Sequence, residues 1–208
     1  MSLTLNSRII MKRLITCCLA TLFLGFNSFA QKGDKEYANY AISVGISPFG
    51  GGLNLTYHHS ERTSINIGMG GFAEGEAPLS PTIDELGDDF TLTASSSWMG
   101  LFLSHQPFQK TAWFRVNTGL AVGSIENTIV DGADTFTADY KENPVAYFGI
   151  NVGTPAYKGL IYELDLGMLF SSGPEFNGPD GDKLDAIEGS AFFGPVLPNF
   201  QLTVGYGF

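Results

Sequence analysis

The chain has 208 residues, of which 26 are glycine and only 15% are charged, and its formal charge is −10. All 21 acidic residues lie beyond residue 30 but only 8 of the 11 Lys and Arg do, so that part carries a net −13; phosphate contacts need clustered Lys and Arg, which excludes nucleic acid as a partner. Both cysteines, Cys17 and Cys18, fall near the N-terminus, so residues 31–208 can build neither a disulfide framework nor a thiolate metal site.

Met11-Lys12-Arg13 is followed by an apolar run from Leu14 to Phe26 and then by Asn27-Ser28-Phe29-Ala30. A basic start, a short apolar stretch and small residues at Ser28 and Ala30 form a secretory signal, with cleavage expected after Ala30. The apolar run is too short for a comfortable membrane helix, which argues against a retained anchor. Leu14-Ile15-Thr16-Cys17 has a Leu three residues before a Cys, but almost no apolar run precedes it, so lipid attachment at Cys17 is disfavoured. Residues 1–10 read as an upstream extension, and 31–208 as one domain.

Eight segments then alternate with period two, the mark of strands with unlike faces. They lie near 41–48, 53–58, 64–71, 97–104, 113–123, 145–153, 160–168 and 200–208. In 113–123, Phe114, Val116, Leu120 and Val122 oppose Arg115, Asn117, Gly119 and Gly123; in 160–168, Tyr162, Leu164, Leu166 and Met168 oppose Glu163, Asp165 and Gly167. No amphipathic helix stands out. Sixteen of the 21 acids fall in three stretches, 74–89, 126–142 and 175–188, which are rich in Gly, Pro, Ser and Thr and read as loops. Short turns at 59–62, 106–110 and 154–158 alternate with those long connections, and a short one at Pro48-Phe49 breaks the pattern.

Eight alternating strands suit either a soluble lipocalin-like barrel or a membrane barrel. The interior of an eight-stranded barrel is just wide enough for side chains to fill. Eight faces of Phe, Leu, Ile and Tyr would overfill it, and a Gly, Ser and Asn exterior would make a poor soluble coat. With the large apolar residues facing lipid and the small polar ones facing the lumen, both problems vanish.

The signal at 11–30, the alternating strands, the asymmetry of short turns and long loops and the ending QLTVGYGF resemble the small eight-stranded outer-membrane β-barrel proteins of Gram-negative bacteria. The resemblance covers essentially all of residues 31–208. It implies an all-β, antiparallel, up-and-down transmembrane barrel in the outer membrane. It also implies that Phe200, Leu202, Val204, Tyr206 and Phe208 form a C-terminal signal, read by the barrel-assembly machinery before the last strand pairs with the first. The partners expected are outer-membrane lipid and that machinery, the chain being a monomer.

Within such a barrel Arg115, Asn117, Tyr147, Asn151, Glu163 and Asp165 share the lumen-facing phase, and a charge in a narrow interior needs partners. They are expected to form a polar network that locks the barrel; the same residues could instead line a narrow channel. Some outer-membrane barrels modify lipid A, and His58-x-Ser60 matches the His-x-Ser pair of the deacylases. However, it sits at a short turn, His58 is in the lumen phase and Glu61 stands where that family often has Asn. Asp180, Asp182, Asp185 and Glu188 do not have the spacing of an EF-hand, whose third ligand would fall on Leu184. No catalytic residue, cofactor or metal is expected, and the function read from the sequence is structural or interaction-based, through acidic surface loops.

Overall fold

The computed structural model describes residues 36–77, 79–86, 90–141 and 144–208. The expected signal segment, with Cys17 and Cys18, lies outside the described residues, as do Asp88, Asp89 and Glu142. The described residues form ten strands: β1 (Tyr40–Ser47), β2 (Gly50–Ser60), β3 (Thr63–Glu76), β4 (Thr91–His105), β5 (Phe114–Asp131), β6 (Asp134–Tyr140), β7 (Val145–Gly153), β8 (Gly159–Phe170), β9 (Glu175–Asn177) and β10 (Val196–Gly207). One α-helix, α1 (Asp182–Gly189), and short 3-10 turns at Asp84–Leu86 and Ala191–Phe193 complete the described elements.

Eight of the strands close a ring in the order β1-β2-β3-β4-β5-β7-β8-β10, every neighbour antiparallel, with β10 returning to β1. Where all eight strands pair, closure leaves no open edge, as a barrel in lipid requires. The last residue completes it: Tyr40 and Phe208 exchange backbone bonds of 3.2 and 2.8 Å, and their rings stack at 6.3 Å. The side chains alternate about this wall. On β5, Arg115 is 5% exposed while Leu120 is 64% exposed. Ile42, Val44, Leu55, Ile67, Met99, Leu101, Phe148, Leu166 and Val204 are likewise exposed, a continuous apolar belt far larger than a soluble surface carries.

Strands β3, β4 and β5 run well past the belt. Met99 pairs with Val122, the last apolar outward pair on that rung, and two residues on Ser97 pairs with Ser124. Above that rung the alternation keeps its parity but reverses its polarity. Ser95, Glu126 and Thr128 now face outward, whereas Leu92, Ala94 and Ile129 are buried. Leu92 and Ile129 form an apolar core on top of the barrel with Ile83, Leu86, Phe136, Ala138, Ile187 and Phe193, a cap held together as a soluble domain is.

Two of the sequence expectations change here. The acidic stretch 126–142 is largely not a loop: β5 continues to Asp131, turns at Gly132 (φ +63°) and returns as β6, which pairs with the upper half of β5 in line with β7. Glu126 and Asp139 pair on the outward phase of this hairpin, whereas Asp131 and Asp134 pair at its end on the inward phase shared with Ile129, Phe136 and Ala138. The stretch 175–188 likewise holds β9, paired with β6, and helix α1, whose Ile187 is fully buried in the cap.

At the other end the turns are sewn together. Arg62 donates from Nε and Nη2 to the carbonyl of Gln106 and from Nη2 to that of Pro107, joining the β2–β3 turn to the β4–β5 connection. Residues 36–38 lie against the β7–β8 turn, with Ala38 N donating to Ala156 O, Lys158 N to Glu36 O and Lys158 Nζ 2.6 Å from Glu36 Oε1. Ala38 and Ala156 are buried by this arrangement.

Candidate functional site: the barrel lumen

The inward phase of the ring places all six lumen residues expected from the sequence in one cavity. It has a volume of about 160 Å³ and runs from His58 near the turn end to Lys141 and Ser171 at the loop end. Cross-strand register decides the pairs. Arg115 lies opposite Asn151 on β7, which in turn lies opposite Asp165 on β8, with Glu163 one inward position further along. Arg115 Nη1 is 3.0 Å from Glu163 Oε1. Asp165 accepts from the Asn117 amide on one oxygen and from the Tyr147 hydroxyl on the other. Arg115, Tyr147, Asn151 and Asp165 are all buried. Each charge therefore has a partner, which a buried ion pair needs if it is not to destabilise the interior.

Glycines make room for the rings in this lumen. A Cβ on Gly149 would lie 2.5 Å from the Tyr147 hydroxyl, so the tyrosine lies along its own strand over Gly149 and reaches Asp165. Phe102 from β4 meets Tyr147 edge to face at 5.7 Å. Below this pair the lining is polar: Ser43, Asn54, Thr56, Ser64, Asn66 and Ser104. Above it the large apolar side chains of Phe49, Trp98, Ile125, Val145, Leu169 and Leu197 line the cavity together with Ser124, Lys141, Ser171 and Asn199. The inward aromatics Trp98 and Phe102 are the members of the site that sequence reasoning left unassigned. Their signal was present in the parity of 97–104, where both share a phase with Gly100 and Ser104.

The His58-x-Ser60 pair is not assembled for nucleophilic chemistry. Ser60 Oγ accepts the backbone amides of Arg62 and Thr63 and so caps the turn, while the buried His58 ring faces the lumen beside Tyr37, 6.1 Å away. A nucleophile would need its base within hydrogen-bond reach. Nor do any three His, Cys, Asp or Glu side chains gather as a metal site among the described residues. In the cap, Lys183 lies 2.8 Å from Asp131 and 2.9 Å from Asp134, and hydrogen bonds to these two carboxylates raise its pKa. The Tyr140 hydroxyl donates to Gly194 O at 3.0 Å, and its burial raises its pKa above the ordinary 10.

The terminal residues Phe200, Val204, Tyr206 and Phe208 are exposed on the outer face of β10, with Leu202 half-buried in the same phase. Solved structures share this architecture. Seven chains match, among them Acinetobacter baumannii CarO, 14% identical, with a TM-score of 0.62 over 82% of this chain and 98% of that one. Acinetobacter baumannii CarO2 matches with 14% identity and a TM-score of 0.58 over 85% of this chain and all of that one. The chain shares their fold, a small eight-stranded antiparallel β-barrel. No family model and no curated protein matches the sequence.

Proposed function

We propose that this barrel is a non-enzymatic, monomeric outer-membrane protein with a locked lumen, and that its working surface is the acidic cap. The observation that carries this reading is the lumen network itself. Arg115–Glu163 and Tyr147–Asp165–Asn117 join β5, β7 and β8 across the interior, while Phe102 packs on Tyr147. Side chains that hold a barrel closed in this way serve its stability and leave recognition to the end that faces outward. The apolar core beneath the cap supports this division, because it fixes the acidic β5–β6 hairpin and α1 in place as a surface.

Single-channel recording in planar bilayers tests the lock. The wild type is expected to show no conductance steps; steps that change with Arg115→Ala would favour the narrow channel instead. The enzyme reading would return if the barrel deacylated lipid A and lost that activity in His58→Ala. In cells, deletion of Phe208 is expected to lower the level of folded barrel if the assembly machinery reads the final strand; an unchanged level would remove that role from the C-terminus.

A further inference from the structure

The wall of the barrel is incomplete on one side. The β1–β2 hairpin ends at Ser47 and Gly50, and its last pairs are Ile46 with Leu202 on β10 and Gly51 with Gly71 on β3. Above them, β10 from Val196 to Gln201 pairs only with β8, and β3 from Phe72 to Glu76 pairs only with β4. Two strand positions are missing between these edges, the equivalent of three strand spacings, or about 14 Å, of regular sheet. Pro198, which has no amide hydrogen to leave unpaired, sits in the β10 edge, as proline does in edge strands. The hairpin tip is drawn inward below the gap: the Phe49 carbonyl accepts from Ser96 Oγ at 2.8 Å and from Trp98 Nε1 at 3.1 Å.

The gap joins two apolar regions. Inside it lies the upper lumen of Phe49, Trp98, Ile125, Val145, Leu169 and Leu197. Outside it the belt climbs beside β10, where exposed Phe200 and Val196 pair with Leu166 and Phe170 above the level of the hairpin tip. Asn199, Gln201 and Ser171 line the same cavity at the rim. A polar solute would lose its hydration against the apolar chamber walls, and a bare hydrocarbon would strip water from the rim. A molecule with one apolar chain and a polar head satisfies both regions.

We propose that the upper lumen binds a single-chain amphiphile, taken from the outer leaflet through the gap between β3 and β10, with its chain against Trp98, Ile125 and Leu197 and its head at Asn199 and Gln201. This goes beyond the locked-lumen reading; the head-group end adjoins the network, with Gln201 opposite Asp165 across β8 and β10, while the chain lies above it.

Trp98 serves as the reporter. The chain has two tryptophans, so Trp113→Phe leaves Trp98 alone, facing inward. In vesicles, dibromostearate is expected to quench Trp98 saturably, whereas a dibromo-phosphatidylcholine confined to the bilayer quenches it weakly. Adding Leu197→Asp should raise the half-saturating dibromostearate concentration at least about tenfold, with heat-modifiable gel migration showing an intact barrel; Val130→Asp, on the outside of the cap, should not. Ile125→Asp provides a second disruption of the chamber. Quenching that never saturates, that is equally strong with the phospholipid, or that is unaffected by both chamber variants would overturn the proposal.

Discussion

The barrel and its cap share strands, yet they are built inside out with respect to each other. Between Met99–Val122 and Ser97–Ser124 the outward face of β4 and β5 passes from apolar to polar, and the inward face passes from Gly100, Ala121 and Gly123 to Leu92 and Ile129. Parity never breaks. The difference teaches that alternation specifies a strand, while the medium on each side specifies the sign of the alternation. Below the rung the outside is hydrocarbon and the inside can hold hydrogen-bonded polar groups; above it water is outside and an apolar core must be inside.

The two regions should therefore answer to opposite substitutions. The largest effect is expected in the cap core: Phe136→Ala, at a residue only 1% exposed, should cost about 3–5 kcal/mol. Hydrogen exchange should localise the loss to β6, α1 and the upper half of β5, with β7 and β8 still protected. On the belt, Leu120→Arg should cost about 2–4 kcal/mol when folding into lipid vesicles is titrated with urea, and Leu164→Arg should behave alike. Protonation comes next. Tyr140 and Lys183 both have raised pKa values, so their stabilising contributions are complete below the ordinary values of 10.0 and 10.5 and decline as pH rises above them, when the unfolded chain loses its protons first. Near-ultraviolet circular dichroism should show the cap loosening above pH 10. The smallest effect is expected for Thr128→Ala, on the cap's water-facing phase, which should shift stability by no more than about 0.5 kcal/mol.

The eight ring strands were legible in the sequence because a belt of Ile, Leu, Val and Phe against Gly, Ser and Asn gives the strongest period-two signal. The continuation of β5 and β6 was hidden by the change of sign. Glu126 and Thr128 on one phase and Asn127 and Ile129 on the other still alternate, but the acids, Gly132 and Pro144 read as loop punctuation. Helix α1 has only eight residues and a weak apolar stripe, so the burial of Ile187 comes from tertiary packing rather than from periodicity. The phase of Arg115, Asn117, Glu163 and Asp165 could be read residue by residue. Their partners could not, because pairing Arg115 with Glu163 and Asn117 with Asp165 depends on the register of β5, β7 and β8. The short β1–β2 hairpin was visible as a break in the turn pattern, but the missing wall above it depends on how far its neighbours extend.

Spin labels on single cysteines along the outward phase of β5 put the inversion to the most direct test, since residues 31–208 contain no native cysteine. At Val116, Leu120 and Val122 the labels should be relaxed by oxygen dissolved in the bilayer, at Glu126 and Thr128 by a water-soluble nickel chelate, and the crossover should fall between Val122 and Ser124. Water-type accessibility at Val116 through Val122, or lipid-type accessibility at Glu126 and Thr128, would contradict the account.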